Sequence, residues 1–129
     1  MAAKLSGALL DTSVLIAGAA GAGLPVSAAI STISLGELVA GVRLARGGNA
    51  RRVRQDHLDA VRGAFSPLPV DDFVAEAYGE LLAHARAQGR SEKATDLLIT
   101  ATAAATGRVL HTLDERQASL ARSAGLSVA

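Results

Sequence analysis

Ala8-Leu9-Leu10-Asp11-Thr12-Ser13-Val14-Leu15-Ile16 decides how this chain is read: an apolar run stops at a carboxylate, and a second apolar segment starts two hydroxyl residues later. A short apolar run ending at a polar junction fits a strand over residues 8–11 buried on both faces, and Thr12 to about Ala17 fits the first turns of a helix. Three further acids fall at similar junctions: Glu37 in Ser34-Leu35-Gly36-Glu37, Asp96 in Thr95-Asp96-Leu97-Leu98-Ile99, and Asp114 in Thr112-Leu113-Asp114-Glu115. If the strands are parallel neighbours, these acids meet at one edge of the sheet. Carboxylates gathered in one place repel unless a cation or protons compensate, so the spacing points to a metal site.

Outward from that stretch, the Gly-rich segment Gly18 to Gly23 reads as a loop and residues 28–33 as a second strand. Ser34 then opens a helix carrying Leu35, Leu38, Val39, Val42 and Leu44, ended by Gly47-Gly48. Val53, Leu58 and Val61 among charged neighbours predict an amphipathic helix over 50–64, followed by a short strand around Pro67 to Val70. A helix over about 72–88 is expected to bury Phe73, Ala77, Leu81 and Leu82 and to close at Gly89. After a polar link, Asp96 to Thr106 forms a nearly apolar helix ended by Gly107. Strands at 108–111 and 126–128 then flank a helix over 114–124. Strands alternating with helices predict an α/β fold: a central parallel sheet of about four to five strands with helices on both faces. Ligands of such sheets bind beyond the carboxyl ends of the strands.

The 129 residues suit one domain, 1–129, with a real core. Hydrophobic residues make up 50% but aromatics only 2%, so the core is built from Ala, Leu, Val and Ile. Thirteen basic against 12 acidic residues leave a formal charge of +1, so nucleic-acid binding must come from local patches. The absence of cysteine excludes disulfides and thiolate zinc sites. Lys4, an apolar stretch and Ala20 and Ala22 raise the question of a signal peptide, which Asp11 inside the would-be apolar core argues against. No apolar stretch reaches the roughly 20 residues of a membrane span, and a cytoplasmic location without a membrane partner is expected.

Singly, each acid has a plainer reading. Ser34-x-x-Glu37 and Thr112-x-x-Glu115 match capping boxes, and Asp11, Asp96 and Asp114 could each cap a helix. Together they favour convergence, which a metal site needs and caps do not. With no Cys, and with His57 and His84 on amphipathic helices expected to face solvent and His111 at a strand end, the donors are oxygens and the ion Mg²⁺ or Mn²⁺ rather than zinc.

The chain resembles the PIN-domain ribonucleases, and among them the VapC-type toxins of bacterial toxin–antitoxin pairs. The matching segments, in order, are Leu9 to Ile16, Ser34 to Gly41, Asp96 to Ala103 and His111 to Asp114, and the likeness spans nearly the whole chain. It implies a PIN-like fold and a metal-dependent endoribonuclease that cleaves RNA. Asp11, Glu37, Asp96 and Asp114 would be its catalytic acids, with Asp11, Asp96 and Asp114 on the metal and Thr12, Ser13 and Thr112 supporting them by hydrogen bonds. It also implies inhibition by a cognate VapB-like antitoxin and a homodimer built from helices. Gln117 departs from the pattern, since many relatives carry an aromatic residue there, which leaves the packing around Asp114 open.

Metal held by carboxylates supplies the chemistry of phosphodiester hydrolysis without a side-chain nucleophile, and none is evident. Arg43, Arg46, Arg51, Arg52 and Arg54 form the densest basic run, and Arg86, Arg90 and Lys93 a second; they are either solvated helix faces or contacts for RNA phosphates. Three alternatives fit less well. A receiver-like signalling module needs paired acids at the first strand and a late lysine. A phosphatase with an aspartate nucleophile needs Asp-x-Asp, where Ser13 stands instead. A PIN fold serving only as a binding scaffold has no need of all four acids.

Overall fold

A computed structural model describes residues 7–18 and 27–129, so the loop expected over Gly18 to Gly23 and the Lys4 region lie wholly or mostly outside the described residues. The order is β1 (Gly7–Leu10), α1 (Thr12–Ile16), β2 (Ser27–Ala29), α2 (Thr32–Leu44), α3 (Gly48–Ala64), α4 (Asp72–Ala87), α5 (Ala94–Thr106), β3 (Val109–His111) and α6 (Glu115–Ser123). Among the described residues no helix is long and apolar enough to cross a membrane.

The three strands are parallel in the order β2-β1-β3, with Leu9 opposite Ala29 on one side and Leu110 on the other. Two single bridges widen the sheet. Leu68 pairs parallel with Ser31 beyond β2, and Val128 pairs parallel with Leu110 beyond β3. The segments expected as strands around 67–70 and 126–128 are therefore present as one-bridge flanks, which gives five parallel lanes. Prolines on either side of Leu68 explain the brevity of that lane, because a proline has no N–H to extend a ladder.

The central strand is buried on both faces, as its unbroken apolar run requires. Ala8 and Leu10 pack with Ile30, just after β2, and with Val14, Leu15, Leu38, Val42, Leu58 and Val61 from α1, α2 and α3. Leu9 turns the other way, against Ile99 and Ala103 of α5, Leu110 and Ala121 of α6. A third cluster joins Val74, Leu81 and Ala85 of α4 to Leu97 and Ala101 of α5 and Leu120 of α6. α5 is thus sandwiched, which is why its sequence is apolar nearly all round.

Several expectations are corrected. The ladder of the second strand with β1 stops at Ala29, and Ser31, still bridged to Leu68, caps α2: its hydroxyl accepts from the Ile33 N–H at 3.0 Å. Ser34 lies buried inside that helix and caps nothing, so the Ser34–Glu37 capping box does not exist. Gly47 and Gly48 open α3 rather than end α2, Gly47 taking a left-handed φ of 91°. On α4 the buried positions are Val74, Leu81 and Ala85, while Phe73 is 77% exposed. Val53 is exposed as well. Asp96 sits in the first turn of α5, with Lys93 in the cap position, so Asp96 is no N-cap. Asp11 and Asp114 do cap α1 and α6. The cap of α6 is Asp114 and not Thr112, whose hydroxyl accepts from the Asp114 N–H at 3.0 Å instead.

Candidate acidic site at the carboxyl ends of the strands

Asp11 follows the central strand directly, and its N–H continues the ladder by donating to the His111 carbonyl at 2.9 Å. The residue is 4% exposed, so its carboxylate needs donors. It has them: Oδ2 accepts from the Ser13 hydroxyl at 2.6 Å, the Ser13 N–H at 3.2 Å and the Thr112 hydroxyl at 3.0 Å. Ser13 in turn accepts from the Leu113 N–H at 3.0 Å, which ties α1 to the turn after β3. Ser13 and Thr112, two of the residues that the resemblance implies as supports, thus hydrogen-bond this carboxylate.

Glu37 is brought in by α2. Its Oε1 accepts from the Thr12 hydroxyl at 2.6 Å, and Ser34 Oγ lies 3.0 Å from the same hydroxyl. A hydroxyl has one proton, so with that proton given to Glu37 the Thr12 oxygen accepts from Ser34. Asp114 Oδ1 accepts from the N–H groups of Arg116 and Gln117 at 2.9 and 3.3 Å.

Asp96 is the acid that feels the others. Its carboxyl is held above the ordinary carboxylate range, first by burial and then by the charges of Asp11, Asp114 and Glu37, with Lys93 acting in the opposite direction. Four acids from β1, α2, α5 and the start of α6 therefore converge at the carboxyl ends of the strands. Among the described residues no three His, Asp or Glu side chains form a ready ligand cage. The donor set of oxygens fits a hard divalent ion.

Gln117 belongs to this site although the sequence flagged it only as a departure. It is 2% exposed, and its amide reaches Asp11, Thr112 and Thr100. Ser34, Thr100 and His57 were also missed. His57 is half-buried: its Nε2 has no hydrogen-bond partner among the described residues, and the residue lines a mostly apolar cavity of about 410 Å³ with Glu37, Arg54, Ile16 and Val53. His84 is likewise engaged, bonding Ser123 of α6 at 2.9 Å.

The basic runs divide. Arg43, Arg46, Arg51 and Arg52 are exposed on α2, α3 and the turn between them, and Arg54 donates to the Gly41 carbonyl at 2.7 Å. Arg86 is exposed at the end of α4. Arg90 pairs with Glu92 at 3.0 Å and donates to the Arg116 carbonyl at 3.0 Å, so it bolts the α4–α5 link to α6. Lys93 is exposed and near enough to Asp96 to lower its pKa.

A sequence profile of the PIN domain matches residues 8–123. Ribonuclease VapC8 of Mycobacterium tuberculosis is 44% identical over 100 residues, covering 74% of this chain and 88% of the relative. Ribonuclease VapC5 of the same organism is 34% identical over 125 residues, covering 93% and 92%. Among solved structures, VapBC-5 of Mycobacterium tuberculosis, a member of the VapBC family of toxin–antitoxin systems, superimposes with a TM-score of 0.83 at 34% identity over 96% of both chains.

Proposed function

The chain belongs to the PIN domain family, and from that premise we propose that it is a VapC-like toxin, a metal-dependent endoribonuclease restrained by a cognate VapB-like antitoxin. The observation that carries the reading is Asp96, whose carboxyl is raised by burial and by three other acids with one lysine as counter-charge. Such a cluster is costly unless a cation offsets it.

Asp11, Asp96 and Asp114 would hold Mg²⁺ or Mn²⁺, and Glu37 completes the catalytic set. When bound, the ion supplies Lewis acidity and neutralises phosphate charge for phosphodiester hydrolysis. The chain's own residues prepare that chemistry. Ser13 and Thr112 fix the Asp11 carboxylate through Oδ2, and Thr12 fixes Glu37. Lys93 and exposed Arg43, Arg46, Arg51, Arg52 and Arg86 offer positive charge to the RNA backbone. Arg90 contributes by holding Glu92 and α6 rather than as a free phosphate ligand.

The antitoxin reading is supported by likeness to the VapBC-5 structure and by the acid cluster itself, which suits an inserted arginine or lysine. Exposed Ile16, Leu44, Val53, Phe73 and Leu113 supply apolar surface for that partner and for a second copy in a homodimer.

Asp11→Asn and Asp96→Asn keep shape and remove charge. Both should abolish RNA cleavage in protein that still melts cooperatively; folded variants cutting at the parent's rate overturn the assignment.

A further inference from the structure

We propose that Gln117 is a positioning residue for Asp11, joining α5 and α6 to the carboxylate that follows the central strand. The inference rests on the ribonuclease reading above and adds to it a residue that reaches neither RNA nor the metal directly.

The orientation of the amide follows from proton counting. The Thr112 hydroxyl gives its one proton to Asp11 Oδ2 at 3.0 Å and accepts from the Asp114 N–H at 3.0 Å, which leaves one lone pair for a further donor. Gln117 with Nε2 on that side meets the need at 3.3 Å, and reaches Asp11 Oδ1 at 3.3 Å and Oδ2 at 3.2 Å. Its Oε1 then faces the Thr100 hydroxyl at 3.1 Å, whose single proton it shares with the Asp96 carbonyl at 2.9 Å. The opposite orientation would set an amide oxygen against a carboxylate and a hydroxyl whose proton is already spent.

The consequence is specific to Oδ1. Oδ2 is satisfied by Ser13 and Thr112, whereas among the described residues Gln117 is the donor that reaches Oδ1. The carboxylate is pinned at one oxygen by α1 and β3 and steadied at the other by α6, whose amide is itself held by Thr100 of α5. Fixing a ligand from behind in this way is how outer partners tune metal affinity, and their loss commonly costs tenfold or more.

Gln117→Met keeps volume and removes the amide, and Thr100→Val removes the hydroxyl that orients it. Mn²⁺ binding to the RNA-free protein, measured by calorimetry, should weaken about tenfold in Gln117→Met and by less in Thr100→Val, and Thr100→Val should add nothing in the Gln117→Met background. In cleavage assays kcat should fall while KM for RNA holds. Gln117→Met with parental Mn²⁺ affinity and kcat overturns the proposal, and where Asp11→Asn is inactive the ribonuclease reading survives that result. An Asp11→Asn variant as active as the parent overturns both. Should Gln117→Met fail to fold, Thr100→Val decides alone: unchanged Mn²⁺ affinity overturns the proposal.

Discussion

Thr12 donates to Glu37 at 2.6 Å across 25 positions of sequence, so the first residue of α1 fixes an acid on α2. The bond is charge-assisted and part-buried, and Thr12 also satisfies Ser34, a residue with no exposed surface.

Thr12→Val keeps the shape of the side chain and removes both interactions. Denaturant unfolding should show a loss of about 1–3 kcal/mol, most of it from leaving polar partners unsatisfied. Thr12→Ser should recover most of that. Equal stability of the valine variant and the parent would mean that the hydroxyl does not tie the two helices.

The raised Asp96 pKa gives a stability change with a definite sign. The folded state holds this proton more tightly than the unfolded chain, so the contribution is fully present below the ordinary value of 3.8 and is lost as pH rises through the folded pKa. At neutral pH, without divalent cation, the ionised carboxyl weakens the fold. Asp96→Asn should therefore melt higher than the parent at pH 7 in chelator, with the advantage gone in acid below 3.8. Added Mg²⁺ should stabilise the parent more than the variant, by about 2.7 kcal/mol at a hundredfold excess over Kd for a site that binds the native state only. Melting temperatures indifferent to Mg²⁺ in both proteins would count against a cation at this site.

For the exposed arginines the readout is salt. If Arg43, Arg46, Arg51 and Arg52 touch phosphates, replacing them should flatten the salt dependence of RNA binding at every sequence tested, by a log–log slope of about 0.7 for each phosphate no longer neutralised. An unchanged slope would return them to the role of a solvated surface.

Two apolar residues on different surfaces should behave oppositely. Leu97 of α5 is 1% exposed against α4 and α6, and Leu97→Ala should cost about 2–5 kcal/mol. Phe73→Ser should stay within about 0.5 kcal/mol in the isolated chain. A large loss from Phe73→Ser would show that another surface covers it in solution.

Phe73 also marks where sequence reasoning reaches its end. Helical spacing says that α4 has an apolar stripe but not which of two adjacent residues faces α5, and Val74 holds that place. Leu9-Leu10-Asp11 is legible because burial on both faces leaves a continuous run, and a carboxylate ending it stands out. Ser34 misleads because Ser31, three residues earlier, has the same capping chemistry. Pairing with Leu68 gives Ser31 the extended backbone a cap requires, and that pairing is invisible locally. Convergence of Asp11 and Asp114 follows from strand order, while Glu37 and Asp96 are brought in by α2 and α5. The roles of Gln117 and Thr100 do not, because a polar side chain on a buried face declares its partner only once the facing helix is in place.

The ladder from Asp11 to His111 has a temporal side. The partners of Asp11 at and after β3 and on α6, the His111 carbonyl, Thr112 and Gln117, lie about a hundred residues downstream, whereas Ser13 is immediate. During synthesis the first half of the sheet can pair, yet the carboxylate stays half-supported until residues 111–117 have left the ribosome. Contacts of such sequence separation form late and slowly. The segment that arms the acid cluster is thus translated about a hundred residues after the carboxylate it supports, and a nascent chain carries Asp11 and Glu37 well before it carries a finished site.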